Sequence, residues 1–82
     1  MIAEDEAIIR LDLRETLEEE GYEVVADTGR GDTAIELVRQ HQPDVAIFDI
    51  KMPGMSGLEA AKIVSDKKIC PVVMLTAFSQ RE

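Results

Sequence analysis

Tryptophan is absent from this 82-residue sequence, and Tyr22, Phe48 and Phe78 are its only aromatic residues. So few rings cannot make a platform on which nucleic-acid bases stack. Cysteine occurs once, at Cys70, which excludes an internal disulfide and suits a reducing cytoplasm. Cys70 stands before Pro71 and an apolar run, where a half-buried structural thiol is the plainer reading than a nucleophile. Positive charge is scarce: 9 Lys and Arg face 17 Asp and Glu, for a net charge of −8. That balance argues against nucleic-acid or anionic-membrane binding by this segment. It fits a partner with a basic face or a cation, and equally a surface that is merely kept soluble. No apolar run approaches the length of a membrane span, and the N-terminus lacks the basic region and long apolar core of a signal peptide.

What is present is a globular balance, with 45% hydrophobic and 32% charged residues. Apolar Met1-Ile2-Ala3 stops at the acids Glu4-Asp5-Glu6. A helix is predicted over Ala7 to Glu20, with Ile9, Leu13 and Leu17 at i, i+4, i+8 and Ile8 widening the stripe. Gly21 is placed to end it in a left-handed cap. Glu23 to Ala26, with the β-branched pair Val24-Val25, reads as a short strand. Thr28 to Gly31 reads as a turn with two glycines. Thr33 to Gln40 reads as a second helix, with Ala34, Ile35, Leu37 and Val38 facing inward.

Asp44 to Phe48 is a further strand, apolar from Val45 to Phe48, as expected of a strand covered on both faces of a parallel sheet. Asp49 follows it, and Met52-Pro53-Gly54-Met55 is a loop. Ser56 with Glu59 makes a capping box for a third helix, Gly57 to about Asp66. Val72 to Leu75, ending at Thr76, is the fourth strand. The order β-α-β-α-β-α-β implies a parallel sheet with right-handed crossovers and helices on both faces.

In an open parallel α/β sheet, ligands bind beyond the carboxyl ends of the strands. Glu4 and Asp5 follow the first strand, Asp49 the third and Thr76 the fourth. Asp27 and Thr28 end the second, and an edge strand would point them away from the centre. Clustered carboxylates raise one another's pKa, and a hard divalent cation with oxygen ligands relieves the repulsion. A carboxylate in such a cluster can also attack phosphorus. Read singly, Glu4-Asp5-Glu6 can simply favour a helix N-terminus and Asp49 can be a turn residue. The residues alone leave these readings open beside a metal or phosphate site.

The motifs resemble one family in order and spacing. Ile2-Ala3-Glu4-Asp5-Glu6 is similar to the first strand and acidic pair of response-regulator receiver domains. Phe48-Asp49-Ile50-Lys51-Met52-Pro53-Gly54-Met55-Ser56-Gly57 resembles their phosphoacceptor segment. Val73-Met74-Leu75-Thr76-Ala77 resembles their fourth strand and switch hydroxyl, and Gly21-Tyr22-Glu23-Val24 their turn into strand two. The likeness covers essentially the whole chain. It implies a flavodoxin-like, doubly wound α/β fold of the CheY-like superfamily, with strand order 2-1-3-4 up to Leu75.

Asp49 becomes the phosphoacceptor, served by a sensor histidine kinase in a two-component system. Asp5 and Asp49 become Mg²⁺ ligands, with Glu4 acting through water and Lys51 through its backbone carbonyl. Thr76 would hydrogen-bond the phosphoryl group and carry the switch, with Ala77 leaving it room. Lys51 and Phe78 would flank the site. Glu4 stands where many members have aspartate. A narrower likeness, in Glu4 to Arg10 and Thr76 to Glu82, is to receivers of ANTAR-type antitermination regulators, which implies an RNA-binding output domain beyond this segment.

The family's fifth strand, with its phosphoryl-pairing lysine, has no counterpart up to Glu82; Lys67 and Lys68 precede strand four. Residues 1–82 are therefore expected to be the N-terminal portion of a receiver, without a catalytic lysine of its own. Self-association through the open edge of strand four is expected from such a portion. Two other classes compete with the phosphoacceptor. An aspartate-nucleophile phosphatase needs an acid two residues after the nucleophile, where this chain has Lys51. A phosphorylation-independent interaction module has no physical need for the clustered charge.

Overall fold

The structure is a computed structural model, described here for residues 1–75. Four parallel strands are joined by three helices: β1 (Ile2–Ala3), α1 (Ala7–Glu19), β2 (Asp27–Thr28), α2 (Gly31–His41), β3 (Ala46–Asp49), α3 (Gly57–Asp66) and β4 (Val72–Leu75). The strand order is β2-β1-β3-β4, the α/β order implied above. The chain steps one way from β1 to β2, then crosses back over β1 to β3 and on to β4. With right-handed crossovers, that reversal puts α1 on one face and α2 with α3 on the other. It also makes the gap between the ends of β1 and β3 the switch point of the sheet.

The main core lies under α2 and α3. Ala46 and Phe48 of β3 and Ala3 of β1 pack there against Ala34, Ile35 and Val38 of α2 and Ala60 and Val64 of α3. Alternation along β3 turns Ala46 and Phe48 into this core and leaves Ile47 and Asp49 half-buried on the other side. Helix α1 covers that second face lightly: it has no buried residue, and its Leu13 and Leu17 are half-buried. Ile8, expected to widen its apolar stripe, is 83% exposed.

Strand two is a correction. The β-branched pair Val24-Val25 suggested Glu23 to Ala26, whereas the paired residues are Asp27 and Thr28, opposite Ile2 and Ala3. Pairing is decided by where β1 offers partners: the Ile2 N–H donates to the Ala26 carbonyl at 3.2 Å and the Glu4 N–H to the Thr28 carbonyl at 3.0 Å. Val24 is buried but is not itself part of a strand. Helix α2 begins at Gly31 rather than Thr33, so Gly31 is not part of the turn. Strand β3 ends on Asp49, which pairs with Leu75, rather than on Phe48. Helix α1 stops at Glu19, and Gly21 adopts a φ of 95°, as a left-handed cap requires.

Helix α3 keeps its expected bounds. The Glu59 N–H donates to Ser56 Oγ at 3.2 Å, and the Ser56 hydroxyl donates in turn to Glu59 Oε1 at 3.3 Å. The glutamate thus takes the cap's hydroxyl, not its backbone N–H as in a full capping box. Ser56→Ala is expected to cost about 1 kcal/mol, read as a lowered urea midpoint with an unchanged m-value.

Candidate functional site

Beyond the switch point stand three carboxylates. Glu4 is the first residue after β1 and is only 4% exposed. It is held there because its backbone N–H continues the β1–β2 pairing, and its side chain folds back so that Oε2 accepts the Glu6 N–H at 3.0 Å. Asp5 is exposed at the mouth of α1. Asp49 ends β3, half-buried, and its Oδ1 accepts the Ile50 N–H at 2.9 Å. One carboxylate oxygen from each of Glu4, Asp5 and Asp49 lies within 4.8 Å of the others.

No carboxylate of this cluster is ion-paired among the described residues. Among the described residues, the ion pairs are Arg10–Asp27, Arg14–Glu18, Arg14–Asp27, Arg30–Asp32 and Lys62–Asp66, and none reaches it. Burial pushes the Glu4 carboxyl above its ordinary range; the Glu6 N–H opposes this, and repulsion from Asp49, Asp5 and Glu6 adds to it. The donor set is all oxygen and anionic, the kind a hard dication takes. By the chemistry of these donors the residues fit Mg²⁺, which takes one or two carboxylates and fills the rest of its shell with water and phosphate oxygens.

The loop after Asp49 is fixed by close backbone approaches. The Gly57 N–H donates to the Ile50 carbonyl at 2.7 Å and the Gly31 N–H to the Pro53 carbonyl at 3.1 Å. A Cβ on Gly57 would stand 1.6 Å from the Asp49 carbonyl oxygen, and one on Gly31 1.9 Å from that of Met55. Gly54 turns the loop with a φ of 82°. Lys51 is exposed within the loop. Sequence reasoning missed Gly31 and Gly57 as site-building residues; a glycine inside the first turn of a helix, where it is a poor helix former, was the available signal.

Of the sequence-predicted residues, the structure brings together Glu4, Asp5 and Asp49. It sends Asp27 elsewhere, to Arg10 and Arg14 of α1. Thr76, Ala77 and Phe78 lie outside the described residues.

The sign of the Glu4 shift gives a pH-dependent prediction. A carboxyl whose folded-state pKa is raised adds stability when protonated, and that contribution is lost as pH rises through the raised value. Without divalent cations, Glu4→Gln is therefore expected to stabilise the protein at neutral pH. The gain should shrink as pH falls through the raised value toward 4.5, the ordinary value for this carboxyl, because wild-type Glu4 in the folded protein takes up its proton above it. Thermal melts across that range in a chelating buffer check it.

Comparison with known proteins gives consistent matches. All of residues 1–82 match the family described as response regulator receiver domain. The chain is 55% identical over 82 residues to the transcriptional regulatory protein PdtaR of Mycobacterium tuberculosis (strain ATCC 25618 / H37Rv), covering 100% of this chain and 40% of PdtaR. A crystal structure of a DNA-binding response regulator of the LuxR family from Staphylococcus aureus matches with a TM-score of 0.89 at 35% identity, over 98% of this chain and 68% of that one. The receiver domain of the Francisella response regulator 1452 matches with a TM-score of 0.86 at 27% identity, over 98% of this chain and 66% of that one.

Proposed function

The chain belongs to the response regulator receiver domain family, and on that premise we propose that it accepts a phosphoryl group on Asp49 from a sensor histidine kinase. The observation that carries the reading is the convergence of Glu4, Asp5 and Asp49 at the switch point of the sheet, with none of the three carboxylates ion-paired to a cation of the described residues. In the transfer, a carboxylate oxygen of Asp49 forms a bond to phosphorus as the bond from phosphorus to the kinase histidine nitrogen breaks. The Ile50 N–H holds one Asp49 oxygen and so orients the other.

Asp5 and Asp49, with Glu4 through water and the Lys51 carbonyl, would hold Mg²⁺. When bound, the ion supplies positive charge beside the transferring phosphoryl oxygens. In the same reading, Thr76 donates a hydrogen bond to the phosphoryl group, Ala77 gives it room, and Lys51 and Phe78 line the approach. The module works in the cytoplasm and passes the change in its surface to an output domain. That PdtaR is a transcriptional regulatory protein, together with the ANTAR-type likeness, favours an RNA-binding antitermination output.

Intact mass before and after incubation with Mg²⁺ and acetyl phosphate tests the proposal on the intact protein. A single phosphoryl adduct is expected, absent from Asp49→Asn. No adduct on the wild-type protein would overturn the reading in favour of a phosphorylation-independent interaction module.

A further inference from the structure

Helix α1 begins two residues after Asp5, yet it buries no residue against the sheet. A helix seated so lightly does not by its own packing fix the turn that bears Glu4 and Asp5. Beside the Glu4 N–H bond to β2 and the Glu6 N–H bond to the Glu4 carboxylate, Arg10 supplies a restraint that reaches across to the edge strand. Its Nη1 donates to the Glu4 carbonyl at 2.7 Å, and its Nε stands 3.5 Å from Asp27 Oδ1 at the start of the edge strand β2. Asp27 is held in place from its other oxygen by Arg14, which also pairs with Glu18 at 3.5 Å. The Arg10 head lies directly over Gly29: a Cβ there would stand 2.8 Å from Nη1.

We propose that Arg10 is a positioning residue for the acidic cluster, tying the β1–α1 turn to Asp27 through the Glu4 carbonyl; this rests on reading that cluster as the Mg²⁺ and phosphoryl site. The peptide unit between Glu4 and Asp5 is planar, so holding the Glu4 carbonyl also sets the plane in which the Asp5 N–H and Cα lie. A guanidinium suits the task because its fork serves a carbonyl and a carboxylate at once, and a charged donor makes the stronger hydrogen bond. Gly29 is part of the device, since any side chain there would press on the guanidinium. Arg10 meets the Glu4 carbonyl and Asp27, and in this role it acts on the site only through Glu4 and Asp5.

The test uses the intact protein with Arg10→Met, Gly29→Ala and the double variant. Two quantities are read: the Mg²⁺ dissociation constant by calorimetry, and hydrogen exchange of the Glu6 amide, which is bonded to the Glu4 carboxylate. Arg10→Met is expected to weaken Mg²⁺ binding about tenfold, the lower end for loss of an outer-shell partner. It should speed exchange at Glu6 while leaving the Phe48 amide, in the main core, unchanged; a merely structural loss would speed both.

Gly29→Ala should shift both readouts the same way by less, and should add nothing in the Arg10→Met background, where the guanidinium it displaces is gone. Unchanged Glu6 exchange in Arg10→Met, or a Gly29→Ala effect that adds in full to it, overturns the proposal. A wild-type protein that binds no Mg²⁺ would instead overturn the functional reading, and exchange at Glu6 would still decide the role of Arg10.

Discussion

Gly57→Ala is expected to destabilise the protein by about 3 kcal/mol or more and to abolish phosphoryl transfer along with stability. The new Cβ would lie 1.6 Å from the Asp49 carbonyl oxygen, 2.7 Å from its carbon and 3.2 Å from the Ile50 Cα. All of these are backbone atoms, so no side chain can swing aside. Helix α3 would have to retreat, giving up the 2.7 Å bond from the Gly57 N–H to the Ile50 carbonyl. It would also pull Ala60 and Val64 out of the core. Alanine is the better helix former by about 1 kcal/mol, too little to offset the clash.

Gly21 makes the opposite case: a Cβ there meets nothing within 4 Å, and its φ of 95° alone demands glycine. Urea denaturation checks the loss in Gly57→Ala. If the stability is near wild type, α3 does not approach β3 as described. The local consequence is functional because the atoms displaced belong to Asp49. Intact-mass measurement on any Gly57→Ala protein that remains folded should show little adduct.

Asp5→Ala is expected to weaken Mg²⁺ binding by at least about tenfold, equivalent to about 1.4 kcal/mol, while changing fold stability little. Asp5 is exposed and makes no ion pair among the described residues. Its removal therefore breaks nothing that holds the chain together, and exposed substitutions of this kind usually stay within about 0.5 kcal/mol. Mg²⁺ relies on one or two carboxylates, with water and phosphate oxygens completing its shell, so losing one of the few fixed charges is felt strongly. Asp5→Asn, which keeps an oxygen and loses the charge, should fall between wild type and alanine.

Asp27→Ala is the useful contrast. Its carboxylate is taken by Arg10 and Arg14, so it should lose the anchor of Arg10 and of α1 rather than a metal ligand, and weaken Mg²⁺ binding less than Asp5→Ala does. Calorimetric titration distinguishes the cases. Saturable Mg²⁺ binding unchanged by Asp5→Ala would remove Asp5 from the site.

Much of this protein was legible in neighbouring residues. The apolar run Val45 to Phe48, the i, i+4, i+8 stripe of α1, Ser56 with Glu59, and Gly21 after a helix are all local patterns, and each marked an element that exists. Alternation of strand and helix then implied the parallel order, because right-handed crossovers leave few topologies open. Acids after the first and third apolar runs are enough to bring Glu4, Asp5 and Asp49 to one rim, where the structure has them.

Other features depended on segments far apart in the chain. Strand β2 lies at Asp27 and Thr28 because β1 offers hydrogen bonds there, and local β-propensity misplaced it at Val24-Val25. Gly31 and Gly57 looked like a turn residue and a helix start; only packing showed that backbone from Met55 and Asp49 occupies the space a Cβ would need. The burial of Glu4 and the pairing of Asp27 with Arg10 were equally invisible, since neither spacing nor periodicity says which arginine will meet which acid across a sheet edge. Local sequence determines which elements form, because hydrogen bonding and side-chain periodicity act over a few residues. Tertiary structure decided how the site is held, because close packing acts between atoms that the chain brings together only when folded.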